Sequence, residues 1–194
     1  MKKIEELIIQ ICVKIGKEGH GALIVLDGNP QYKELVNQDF KPFYIESNPK
    51  LLQSLALTDG AVLINKGIVK AFGVMIERSN QPILQNYGTR HQAGVSASLS
   101  GSTCFVVSEE DRKVRIMKKG QIVMQLDCLD KDIEKNIGKA TTILESAGVG
   151  AVATYSLGAL GFITGLTMGS GIIVFGTTYY LINLLGDEIK RRNK

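Results

Sequence analysis

A chain of 194 residues with 44% apolar and 22% charged side chains can bury one domain with an additional element, which excludes global disorder. Its 23 basic and 19 acidic residues leave a net charge of +4, a weak bias toward anions. No block concentrates arginine with aromatic residues, so a nucleic acid polymer is not an expected partner.

The amino-terminal segment MKKIEELIIQICVKIGKEG carries charges too closely spaced for a signal peptide. Leu7, Ile8, Ile11, Cys12 and Ile15 recur at helical spacing, which predicts an amphipathic helix over residues 1–18. GALIVLD at 21–27 is a short apolar strand ended by the turn signal DGNP. A helix is expected around Gln31 to Asn37, and another over 48–57, with Asn48 as its cap and Pro49 in its first turn. DGAVLINKGIVKAFGVMIE at 59–77 predicts two strands turning at Asn65, Lys66 and Gly67. GTRHQAGVSASL at 88–99 fits a loop entering a helix, TCFVVSEE at 103–110 a strand, and VRIMKKGQIVMQL at 114–126 a hairpin turning at Lys119 and Gly120. Three cysteines, Cys12, Cys104 and Cys128, show no metal-ligand spacing and lie in apolar runs. They are expected to be buried, reduced thiols.

The last quarter of the chain changes character. Ser146 to Gly186 contains no charged residue, and basic residues Lys190, Arg191, Arg192 and Lys194 follow it. A spanning helix needs about 20 apolar residues, so the stretch has room for a hairpin turning at Gly169, Ser170 and Gly171. Gly165 and Gly169 have the GxxxG spacing that permits close helix contact in lipid. A membrane hairpin with both flanks cytoplasmic, a partly inserted element and a hairpin buried in an oligomer are the alternatives. The expected organisation is a helix at 1–18, an α/β domain with a single mixed sheet flanked by helices at 19–138, and a hydrophobic helical hairpin with a basic tail at 139–194.

Three polar clusters fall at expected strand and helix ends: Asp59-Gly60-Ala61, then Gly88-Thr89-Arg90-His91, then Ser108-Glu109-Glu110. Mixed α/β folds place ligands at such ends. Alone, the first is an ordinary turn, the second a cap and a surface ion pair, and the third a solvated turn. Together they suit a nucleotide. Helix-start amides and the Arg90 guanidinium can hold phosphate, and carboxylates can hold Mg²⁺ or Mn²⁺. The chain has no GxxxxGK[ST], no GxGxxG after a strand and no CxxC.

The clusters, in order, resemble the diadenylate cyclase domain: GALIVLD at 21–27, LTDGAVLI at 57–64, GTRHQAG at 88–94 and FVVSEE at 105–110. The resemblance implies condensation of two ATP to cyclic di-AMP and two pyrophosphates by two facing domains, with Mg²⁺ or Mn²⁺. It implies that Asp59, Arg90 and Glu110 are catalytic and that Asp59, Glu109 and Glu110 bind metal. Gly60, Ala61, Gly88, Thr89, Arg90, His91 and Ser108 would line the nucleotide site. The expected protein is a homodimer or higher oligomer at the cell membrane, with its catalytic domain cytoplasmic. Two departures stand out: Gln92 replaces the arginine that commonly follows the histidine, and Gly94 replaces an alanine. A non-catalytic sensor of ATP or a cyclic dinucleotide is the alternative, and a nucleotide-controlled, membrane-permeabilising effector is a third.

Overall fold

The structure, a computed structural model, describes residues 2–35, 39–78, 87–150, 165–167 and 172–175. It opens with α1 (Lys2–Lys17), β1 (Ala22–Leu26), β2 (Tyr32–Glu34), β3 (Phe43–Tyr44) and α2 (Pro49–Ala56). There follow β4 (Ala61–Asn65), β5 (Ile68–Ile76), α3 (Thr89–Leu99), β6 (Thr103–Val107), β7 (Lys113–Lys118) and β8 (Gln121–Asp127). The described residues end with α4 (Ile133–Gly150), β9 (Gly165–Thr167) and β10 (Ile172–Phe175).

The strands form one mixed sheet in the order β2-β5-β4-β1-β6-β7-β8-β10-β9, with β3 also paired to β5. Strands β1 and β4 are parallel, and every other pair is antiparallel. All five residues of β1 are buried, as a central strand covered on both faces requires. Ala22, Ile24 and Leu26 face the core shared with α1, α2 and α4, whereas Leu23 and Val25 face the core under α3. This period-two division fixes the register, because a slip of one residue would exchange the two cores.

Helix α1 buries Ile8, Ile9, Ile11, Cys12, Val13 and Ile15 and leaves Lys14 and Lys17 in solvent. It is therefore a layer of the domain core. The three cysteines are buried and unpaired with one another. Burial pushes the thiols of Cys12 and Cys104 far up and that of Cys128 to about 11, so all three stay protonated and inert at neutral pH.

Both expected hairpins form with two-residue turns. Lys66 and Gly67 have φ of 49° and 77°, and Lys119 and Gly120 have 52° and 78°, the positive pair that suits the twist of antiparallel strands. The helix expected around Gln31 to Asn37 is instead the edge strand β2, and residues 36–38 lie outside the described residues. Its three residues are all exposed, so no apolar alternation marks it as a strand. Asn48 precedes α2 without a side-chain capping bond.

Helix α4 adds Ile133, Ile137, Ala140 and Leu144 to the core and ends at Gly150. Residues 165–167 and 172–175 are extended, and β10 pairs antiparallel with β8 and with β9. At those seven residues the backbone is strand where helical arms were expected. The rest of the expected hairpin, its Gly169–Gly171 turn and the basic tail lie outside the described residues. Among the described residues no helix is long and apolar enough to cross a membrane.

Candidate functional site

Strand directions bring the three polar clusters to one end of the sheet. Val107, the last residue of β6, pairs with Ala22 at the start of β1, and Ile24 of β1 pairs with Val62 of β4. The start of β1, the Asp59-Gly60 turn before β4 and the Ser108-Glu109-Glu110 turn after β6 therefore lie at a common edge. β4 and β6 flank β1, so the two turns are separated by about two strand spacings, roughly 10 Å.

Backbone geometry fixes the Asp59 side. Gly60 has φ of 94°, and a Cβ there would lie 2.7 Å from the Gly73 carbonyl carbon and from the Val74 nitrogen. Gly73 has φ of 54°, and the β4–β5 register shifts between Ala61 and Leu63, as at a bulge. Two segments of the chain thus approach where a side chain at Gly60 cannot fit. Asp59 is exposed, and its Oδ1 accepts a 3.0 Å bond from the Gly60 N–H. Ala61 is buried and begins β4.

Arg90 comes from the other face. Gly88 precedes α3 with extended backbone, and its carbonyl accepts from the His91 and Gln92 N–H groups at 3.1 and 3.3 Å. Gly88 and Thr89 are exposed and Arg90 is half-buried. The guanidinium lies over Gly21: a Cβ on that glycine would be 2.7 Å from Arg90 Nη1 and 3.4 Å from the Val107 carbonyl oxygen. Arg90 therefore stands at the junction of β1 with the end of β6, one residue from Ser108. Helix α3 seats deeply because Gly94 lacks a side chain; a Cβ there would be 2.7 Å from Val106 Cγ2 and 2.9 Å from Met117 Sδ.

Beneath α3 lies a polar network that the motifs did not reveal, centred on Arg115 of β7. Its side chain is 8% exposed. Nε donates to Gln125 Oε1 at 3.0 Å, and Nη1 meets His91 Nε2 at 3.1 Å and Asp111 Oδ1 at 3.2 Å. Nη2 donates to Asp111 Oδ2, and the guanidinium lies 5.1 Å from the centroid of the Tyr87 ring. Burial first, then the Arg115 charge, push His91 down to about 4 against an opposing effect of Asp111. Burial alone would raise the Asp111 carboxyl, but bonds from Arg115 and Ser108 and the charges of Arg115 and Lys113 hold it below its ordinary value. His91, expected to line the phosphate site, is thus a buried neutral ring facing Arg115. Gln92 is also buried, so the cation beside His91 comes from β7 rather than from position 92. The one sequence signal was an arginine inside an otherwise apolar strand run, VRIM.

Ser108 is half-buried and bonded to Asp111, whereas Glu109 and Glu110 are exposed in the turn. Among the described residues no group of three or more His, Cys, Asp or Glu side chains could hold a metal ion. Asp59, Glu109 and Glu110, expected as one metal site, are not gathered into such a group within one chain, because β1 separates their turns. Magnesium-like ions take only one or two protein carboxylates when phosphates supply further oxygens. Asp59 is exposed at its turn, apart from Glu109 and Glu110.

Residues 10–122, more than half of the chain, match the family described as DAC, DisA bacterial checkpoint controller nucleotide-binding. The chain belongs to this family. The match extends from within α1 into β8, so it includes all three polar clusters of this DAC domain. Similar solved structures include a hypothetical membrane spanning protein from Bacillus cereus, 23% identical over 60% of this chain and 60% of that one, with a TM-score of 0.48. Another is DacA from Staphylococcus aureus, 21% identical over 71% of this chain and 94% of that one, with a TM-score of 0.48. The DAC chain thus spans 60% of the length of the first. No curated protein matches it.

Proposed function

We propose that the chain is a diadenylate cyclase in which two facing copies condense two ATP into cyclic di-AMP and two pyrophosphates. The supporting observation is the placement of Asp59, Arg90 and Ser108 at one end of the sheet, on the adjoining ends of β1, β4 and β6. Arg90 would bind phosphate oxygens with its two-pronged guanidinium, helped by the exposed start of α3. Asp59 would accept the proton of a 3′-hydroxyl as that oxygen bonds to the α-phosphorus of the facing nucleotide. The bond from the α-phosphorus to the bridging oxygen breaks, and pyrophosphate leaves with the electron pair. A divalent ion held by Asp59 and the phosphates would supply charge neutralisation. One pocket can orient one ATP but cannot place a second in line, which is the reason for the pair.

The division into 1–18, 19–138 and 139–194, and attachment to the cytoplasmic face of the cell membrane through the last of these, belong to the same proposal. The test is incubation of the full chain with ATP and Mn²⁺, with and without lipid vesicles. Cyclic di-AMP and pyrophosphate are expected from the native chain and not from Asp59→Asn. No product under any of these conditions sinks the cyclase reading.

The dispersed carboxylates and the buried Gln92 favour a second reading, a nucleotide sensor without chemistry. It predicts saturable calorimetric binding of ATP or cyclic di-AMP with no pyrophosphate release.

A further inference from the structure

We infer that Arg115 is a positioning residue for the nucleotide site: its guanidinium ties the start of α3 to the Ser108–Asp111 turn and thereby sets where Arg90 and Ser108 meet a triphosphate. The inference rests on the nucleotide reading above and adds a residue outside the three motif clusters.

The geometry is that of a clamp. Four of the five N–H donors of the guanidinium have named acceptors, and they lie on three separate pieces of chain. Gln125 belongs to β8, His91 to the first turn of α3, and Asp111 to the β6–β7 turn. The ring of Tyr87, just ahead of α3, lies 5.1 Å from the guanidinium carbon and 4.9 Å from the His91 ring. Two of the three anchored residues adjoin groups proposed to meet the triphosphate: His91 follows Arg90, and Asp111 holds the hydroxyl of Ser108. Two parallel bonds to Asp111 fix orientation as well as distance, which a lysine could not do. Arg115 contacts Gln125, His91, Asp111 and Tyr87, so its effect on Arg90 and Ser108 passes through His91 and Asp111.

The contact has a signature independent of turnover. Arginine can only donate, so His91 Nε2 must accept and its proton must sit on Nδ1. The chain has only two histidines, and the exposed His20 serves as an internal reference. Nitrogen-15 NMR of the full chain should therefore show one imidazole as a pure Nδ1–H tautomer. In Arg115→Met that purity should be lost, and affinity for an α,β-methylene ATP analogue with Mg²⁺ should fall about 10- to 100-fold. Arg115→Lys should show a smaller loss of both, and it serves the same comparison if the methionine variant does not fold. An unchanged imidazole signature overturns the clamp. A lost tautomer with unchanged affinity overturns the positioning role and leaves the nucleotide reading standing. A native chain that keeps its Nδ1–H signal but binds no analogue sinks the nucleotide reading, and the inference with it.

Discussion

The two flanks of the site are built by different means. On the Asp59 side the constraint is backbone against backbone: Gly60 and Gly73 adopt positive φ so that β4 and β5 approach where no Cβ would fit. On the α3 side the constraint is a set of side chains, with Arg115 joining His91, Asp111 and Gln125. Backbone complementarity tolerates no added atom but is indifferent to pH. A charged network tolerates small changes of shape but depends on protonation. If the site works as two independently held halves, each should fail in its own way.

The largest expected effect comes from breaking the backbone flank. Gly60→Ala forces a β-carbon against Gly73 and Val74 backbone at a residue with φ of 94°. The change should cost about 2–4 kcal/mol, read as a lower urea midpoint, and should abolish any nucleotide binding. Preserved stability would mean that the β4–β5 approach is looser than described. Asp59→Asn at the adjacent exposed position should leave stability within about 0.5 kcal/mol and act on chemistry alone, which separates the scaffold of this flank from its reactive group.

The other flank should fail in acid. The imidazole of His91 titrates near 6.5 when unfolded and near 4 when folded. Between these values the unfolded chain binds the extra proton, so the contribution is complete above pH 6.5 and is lost as pH falls toward 4. Allowing for solvent screening, the loss is about 2 kcal/mol. Asp111, whose folded carboxyl is held low, adds a loss in the same direction as pH falls through its folded value. The check is the difference in melting temperature between the native chain and His91→Gln, which can still accept from Arg115. The native chain should lose more stability than the variant from pH 6.5 to 4, and parallel curves would remove His91 from the account.

How much of this could be read from the sequence divides along the same line. The apolar spacing of Ile8, Ile11 and Ile15 was enough for α1, and Lys66-Gly67 and Lys119-Gly120 were enough for two hairpins, because local sterics decide those elements. The motif clusters were legible as strand and helix ends, and their meeting at one edge follows once the β1, β4 and β6 pairing is known. Strand β2 was not legible, since an exposed edge strand carries no alternation. The Arg115 clamp was not legible either. Its partners Tyr87, His91, Asp111 and Gln125 are spread over two elements and two loops, and a lone arginine in VRIM does not show which residues tertiary packing will place against it. His91 was read through its motif neighbours, whereas its burial comes from strands that lie later in the chain.

A smaller loss of stability than that of Gly60→Ala sharpens the contrast, because it lies wholly on the α3 flank. Gly94 lets α3 sit close on β6 and β7, and its missing Cβ would meet Val106 Cγ2 at 2.7 Å and Met117 Sδ at 2.9 Å. Gly94→Ala should gain about 1 kcal/mol from helix propensity and lose about 1–3 kcal/mol from overpacking. Both contacts are with side chains rather than backbone, and Met117 is unbranched and can shift, so the net loss should be near 1 kcal/mol. The lifted helix carries Arg90 and His91 with it, so analogue affinity should fall further than stability alone requires. A more stable variant with unaltered affinity would show that α3 has room to spare, and that the close seating of this helix is not what aligns Arg90 with the sheet edge.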